Sequence, residues 1–102
     1  MYCGGNQLVY QGELVASTLK MIVVDPSGAP VPARVQVQVL GRGEIIVDRY
    51  ANDKGHFKLS GLRSGEYWLG VSSPGFNLHY WRLSKSRSHA TKVLRVALSV
   101  GT

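Results

Sequence analysis

Turn signals recur at close spacing along this chain, and no segment shows a convincing helical period. Asp25-Pro26-Ser27-Gly28, Gly41-Arg42-Gly43, Asn52-Asp53-Lys54-Gly55, the stretch from Gly61 to Gly65, and Ser73-Pro74-Gly75 punctuate it in order. Proline presets the backbone angle a turn needs, and glycine accepts a positive φ that other residues resist. Pro30 and Pro32 further exclude helix and favour an extended edge segment. What remains between the turns is a series of short extended runs, and such runs pack as a sandwich or a barrel.

The runs show their faces by alternation. In Arg34 to Leu40, Val35, Val37 and Val39 alternate with Arg34, Gln36 and Gln38, which puts the valines on one side of a strand. Leu14 to Asp25 is apolar and β-branched and reads as one buried strand, and Glu44 to Ala51 as a further extended run. Asn52 to Gly55 reads as a tight hairpin, with Gly55 at positive φ. After it, Phe57 and Leu59 share a face, as do Tyr67, Leu69 and Val71. Leu78 to Leu83 has mixed faces, so the side taken by Trp81 stays open. Leu94, Val96, Leu98 and Val100 line one face of the last run. The expectation is an all-β, immunoglobulin-like or prealbumin-like sandwich of about seven antiparallel strands. Residues 1–13 read as a tail or edge segment, and 14–102 as a single sandwich domain.

Bulk properties narrow the classes of function. A chain of 102 residues supports one modest core. The formal charge of +6 favours anionic surroundings without specifying one. Cys3 is the only cysteine, which excludes an internal disulfide and a zinc site built of thiolates alone. No apolar run reaches transmembrane length. Met1-Tyr2-Cys3-Gly4-Gly5 lacks the basic and apolar regions of a signal peptide. It reads as a flexible tail or a cloning boundary; the alternative is a mature lipoprotein start whose preceding apolar segment is missing. Taken alone, the chain is cytosolic or a piece of a larger exported protein.

Several motifs then line up in order. Val23-Val24-Asp25-Pro26-Ser27-Gly28-Ala29-Pro30-Val31-Pro32-Ala33 resembles the opening of the carboxypeptidase regulatory-like domain. Asn52-Asp53-Lys54-Gly55-His56-Phe57 resembles its central hairpin. Gly61-Leu62-Arg63-Ser64-Gly65-Glu66-Tyr67-Trp68-Leu69 and then Pro74-Gly75-Phe76 are similar to its later signature. The resemblance spans residues 18 to 100. It implies a prealbumin-like or transthyretin-like sandwich, usually one module of an exported or surface protein and, in bacteria, set beside peptidases, adhesins or outer-membrane receptors. It carries over no catalytic residue, because the recurring positions are turn formers and core. It therefore speaks to fold more than to function.

Candidate chemistry is sparse. Asn52 and Asp53 are too few oxygen donors for calcium, and a turn explains them better. His56, His79 and His89 form no ligand-like pair and read as surface or rim residues. No Gly-x-Ser-x-Gly elbow occurs. Transthyretin-like hydrolases share the fold, but their Tyr-Arg-Gly-Ser ending does not match Leu98-Ser99-Val100-Gly101-Thr102. Related adhesin modules cross-link Lys to Asn; Lys20 is suitably placed, but the asparagines are Asn6, Asn52 and Asn77, none in the last strand. Lys20 then reads as solvent-facing. No cofactor or metal is implied.

Two surface features remain. If Tyr67, Leu69 and Val71 point inward, Trp68 points outward. Gly70 lies on the same face and leaves room beside the indole, which makes Trp68 and Gly70 the candidate partner-binding residues. The plainer alternative packs Trp68 on the N-terminal segment or on a neighbouring domain. Arg82, Lys85, Arg87 and Lys92, with His89 and Arg95, make the C-terminal third basic and form a candidate anion-binding set. A solvated loop is the plainer reading there too. Tyr80 and Trp81 precede the basic run and do not interleave with it, which disfavours single-stranded nucleic acid. The leading expectation is a non-catalytic accessory module of a larger exported or cell-surface bacterial protein, partnered by other domains of that protein. The alternative is a carbohydrate- or peptide-binding module using Trp68.

Overall fold

The computed structural model describes residues 7–85 and 91–101. It contains eight strands: β1 (Leu8–Ala16), β2 (Leu19–Val24), β3 (Arg34–Val39), β4 (Ile45–Tyr50), β5 (His56–Leu59), β6 (Gly65–Ser72), β7 (Leu78–Lys85) and β8 (Lys92–Ala97). A large sheet of five strands has the order β1-β7-β6-β3-β4, and a small sheet of three has the order β5-β2-β8. The sandwich is as expected. The count is one strand higher, because the run expected from Leu14 to Asp25 breaks at Ser17 and Thr18 and sends its halves to opposite sheets. The expected division between residues 13 and 14 falls inside β1.

Not all neighbours are antiparallel. β1 runs parallel to β7, and β2 parallel to β8. The reason is topological. The chain passes from large to small sheet between β1 and β2, and again between β7 and β8. β1 and β2 thus keep β7 and β8 as parallel neighbours in both sheets, and Lys92 N–H donates to Thr18 O at 2.9 Å.

Alternation fills the space between the sheets. Val35, Val37, Leu69 and Val71 from the large sheet are fully buried, facing Leu19, Met21 and Val23 of the small one. Tyr67 joins them and satisfies its hydroxyl by donating to Arg63 O at 2.6 Å. The strand expected to have mixed faces in fact alternates: His79, Trp81 and Leu83 are buried, while Leu78, Tyr80 and Arg82 face outward. Trp81 is core. At the far end, Leu98 is buried but Val100 is 58% exposed, because the chain has left the strand by then.

Asn52 to Gly55 is a tight turn but not the hairpin expected. It joins β4 to β5, which lie in different sheets and do not pair with each other. Asn52 Oδ1 accepts from the backbone of Lys54 and His56, each at 2.9 Å. Gly55 has φ of 76°, and its carbonyl accepts from Val23 N–H at 2.8 Å. A Cβ there would collide with the carbonyl oxygen of Val23. The glycine is thus required twice, by its backbone angle and by close approach to the core strand.

Candidate functional site

The outward side of the large sheet is built from alternate residues of all its strands. Register places Trp68 of β6 between Gln38 of β3 and Arg82 of β7, and Gly70 between Gln36 and Tyr80. Tyr80 in turn stands opposite Tyr10 of β1. Three aromatic rings meet there. Trp68 and Tyr80 have centroids 5.6 Å apart with planes at 67°, Tyr10 and Tyr80 are 5.2 Å apart at 48°, and Tyr10 and Trp68 are 6.5 Å apart at 79°. These are edge-to-face and tilted contacts of the kind aromatic quadrupoles favour. Trp68 is half-buried by its neighbours, while Tyr10 is 49% exposed.

Gly70 opens the surface next to the rings. A Cβ built on it would meet only Leu78 Cδ1, at 3.9 Å. The result is a shallow depression of about 370 Å³, walled by Trp68, Tyr80, Leu78 and Ile45, with Gln36 and Gln38 at one side. Gln38 Nε2 donates to Gly43 O at 2.9 Å. Two ion pairs frame the face. Arg34 donates to Asp48 through Nε at 2.8 Å and Nη2 at 2.7 Å, and Arg82 Nε donates to Glu66 Oε1 at 2.9 Å. The hydrogen bonds from Arg34 hold the Asp48 carboxyl below its ordinary range, and those to Glu66 raise Arg82 above its own. Such a surface can bind by apolar contact and amide hydrogen bonds.

Trp68 and Gly70 therefore lie together as expected. Tyr10 and Tyr80 were missed. Tyr80 was hidden because β7 carries aromatics on both faces, and Tyr10 because its segment read as a tail. Among the described residues, the candidate anion-binding Arg82, Lys85 and Lys92 make separate contacts. Arg82 is engaged with Glu66 on the aromatic face, Lys85 Nζ donates to Leu62 O at 2.8 Å, and Lys92 opens β8 in the other sheet. Arg87, His89 and Cys3 lie outside the described residues.

The histidine expectation needs one correction. His56 is exposed, but His79 is 4% exposed and central to a polar seam. Ser99 N–H donates to His79 Nε2 at 3.0 Å, so that nitrogen carries no proton and Nδ1 does. The Gln11 amide, 2.9 Å from Nδ1 through its nitrogen position, then presents its oxygen there after a half-turn. Ser99 Oγ sits 3.1 Å from Nε2 and accepts from Asn77 Nδ2 at 2.8 Å. Burial pushes the His79 pKa down and keeps the ring neutral. The network ties β1, β7 and the C-terminal segment together. Among the described residues, no group of three or more His, Cys, Asp and Glu side chains is placed to hold a metal.

Comparison with known proteins agrees with this architecture. The family model of the carboxypeptidase regulatory-like domain matches residues 18–99. No curated protein matches the sequence significantly. Among solved structures, the Bacillus anthracis TIE protein superposes with a TM-score of 0.64 at 19% identity, over 79% of this chain and 16% of that one. The group B streptococcus pilus 2b backbone protein gives 0.60 at 14% identity, over 85% and 42%. The Klebsiella pneumoniae 5-hydroxyisourate hydrolase gives 0.58 at 18%, over 87% and 92%. The chain thus spans less than half the length of the first two, and at such identities the likeness is one of fold. The ordered turn motifs, the two-sheet sandwich and the matched span from residue 18 to 99 coincide, and the chain belongs to the carboxypeptidase regulatory-like domain family.

Proposed function

We propose that this domain is a non-catalytic docking module of a larger exported bacterial protein, and that it engages a neighbouring domain of that protein through the aromatic face of the large sheet. The observation that carries the reading is the outward cluster of Tyr10, Trp68 and Tyr80 beside the opening at Gly70. Aromatic anchors next to a pocket are the usual centre of a protein interface. The family, and the larger size of two structural neighbours, support a modular role. The hydrolase neighbour shares the fold, and fold alone does not transfer chemistry. A second reading, a carbohydrate- or peptide-binding face, is favoured by the side-chain amides of Gln36 and Gln38 beside the indole, a pairing of ring and hydrogen-bonding groups that suits a sugar.

Trp68→Ala and Gly70→Leu test both. Each is expected to abolish binding to the flanking domains, or to a glycan on an array, with a stability loss of no more than about 1.5 kcal/mol from the lost ring contacts. Unchanged binding in both variants rejects the site. A much larger stability loss for Trp68→Ala would make the ring internal packing.

A further inference from the structure

The strands of the small sheet carry Lys20, Lys58, Lys92, Arg95 and His56, and no Asp or Glu. The ion pairs among the described residues, Arg34–Asp48, Arg42–Glu44 and Arg82–Glu66, all belong to the large sheet or the turn beside it. Glu13 lies there too, on β1. Asp25 and Asp53 sit on turns, and the Asp25 carboxylate is occupied by Ser27 and Ala29. The strands of the small sheet therefore carry four Lys and Arg with no acid, whereas those of the large sheet carry Arg34, Arg49, Arg82 and Lys85 against Glu13, Asp48 and Glu66.

Register brings Lys20, Lys58, Arg95 and His56 to one outward face, whereas Lys92 pairs with the inward Leu19 at the edge of the sheet. β2 buries Leu19, Met21 and Val23, so Lys20 and Ile22 point outward. Lys20 stands directly between Lys58 of β5 and Val93 of β8, and Ile22 between His56 and Arg95. Like charges directly opposite across a strand pair are unfavourable. The isolated fold gains nothing from that arrangement. Val93 is 66% exposed in the middle of the cations. A depression of about 400 Å³ lies among them, floored by Met21 and Phe57 and rimmed by Lys20, Lys58 and His56.

We infer that the outer face of the small sheet docks on an anionic phospholipid membrane. Charge complementarity selects an anionic occupant, and the layout selects a surface over an acidic peptide. The cations are spread over all three strands of an open sheet face, and Arg95 stands outside the depression that Lys20, Lys58 and His56 rim. Most are lysines, point charges without the fork by which Arg grips a single carboxylate. Val93 and Ile22 lie between them, where apolar side chains enter the boundary of headgroups and acyl chains. Each Lys or Arg near such a surface strengthens partitioning about fivefold. The aromatic face lies on the other side of the sandwich and stays free, so this inference does not rest on the docking role proposed for it.

The experiment is co-sedimentation of the full chain with phosphatidylcholine vesicles, with and without phosphatidylglycerol. Binding is expected only with phosphatidylglycerol, and is expected to fall as salt rises. Lys20→Glu with Lys58→Glu should weaken it roughly thirtyfold or more. Arg42→Glu with Arg63→Glu makes the same change in net charge away from the small sheet and should cost far less. Trp68→Ala should bind vesicles like the parent. Circular dichroism checks the fold of each variant, and Lys20→Gln with Lys58→Gln serves if the reversal does not fold, with an intermediate loss expected. Equal losses for the two reversed pairs would reduce the effect to net charge and overturn the inference. So would equal binding to neutral vesicles, or dependence on Trp68. Retention on polyglutamate without vesicle binding would overturn it in favour of an acidic protein partner.

Discussion

The two outer faces of the sandwich obey the same alternation and carry opposite chemistry. On the large sheet, Arg34 and Arg82 are each answered by a carboxylate, and the space between them is filled by Tyr10, Trp68 and Tyr80. On the small sheet, Lys20 faces Lys58 and no acid is present on any strand. Inside, both sheets are apolar except for the buried His79. Folding therefore constrains the inward positions and leaves the outward ones free to differ. The difference between the two faces is where recognition is to be sought.

The sharpest way to break that division is on β3, where neighbouring residues take opposite sides. Val37 is 0% exposed, whereas Gln38 faces out beside Trp68. Val37→Asp buries an unpaired carboxylate and is expected to cost about 4 kcal/mol, enough to unfold a marginal domain. Gln38→Asp should stay within about 0.5 kcal/mol of the parent. Urea denaturation of both decides, and similar midpoints would remove the inside–outside distinction.

The joint between the sheets comes next. Gly55→Val strains the backbone and drives a side chain into the Val23 carbonyl, for an expected loss of about 3 kcal/mol. Lys54→Val, one residue earlier, should change little. Matching thermal shifts for the two would mean that the turn does not hold the sheets in place.

A smaller effect is expected at the His79 seam, and it depends on pH. His79 ordinarily titrates at 6.5, and burial lowers its value in the folded state. The unfolded chain thus takes up a proton first as pH falls, and stability drops from pH 6.5 down to the folded value, below which this contribution levels off. The carboxyls of Asp25 and Asp48, held low by their hydrogen bonds, add a separate loss that starts near 3.8. Melting temperature followed from neutral to mildly acidic pH should fall for the parent and stay flatter in His79→Gln. A flat parent profile contradicts a neutral, buried imidazole.

The smallest change sharpens the comparison from the other side. Lys58→Glu places opposite charges across β2 and β5 and should stabilise the isolated domain by about 0.5 kcal/mol. A loss of stability would show that the Lys20–Lys58 pair is already compensated within the fold.

Local chemistry made much of this legible from residues alone. Turn formers marked the strand ends, and period-two patterns gave the facing of β3, β5 and β6, hence the outward Trp68. Where both faces of a strand carry aromatics, as in β7, hydropathy cannot tell inside from outside, and His79, Trp81 and Tyr80 were left unplaced or misplaced. The break at Ser17 and Thr18 was invisible because both halves are apolar and each meets a core.

What the sequence determined by itself is the class of fold, the turns and the one-sided core, because these depend on the φ preferences of Pro and Gly and on the alternation of side chains along a strand. Only the tertiary structure decided which strands become neighbours. Pairing across the sheets joins segments far apart in the chain, such as β1 with β7 and β2 with β8, and no local pattern encodes the partner of a strand. The aromatic trio, the His79 seam and the facing Lys20 and Lys58 all arise from that pairing.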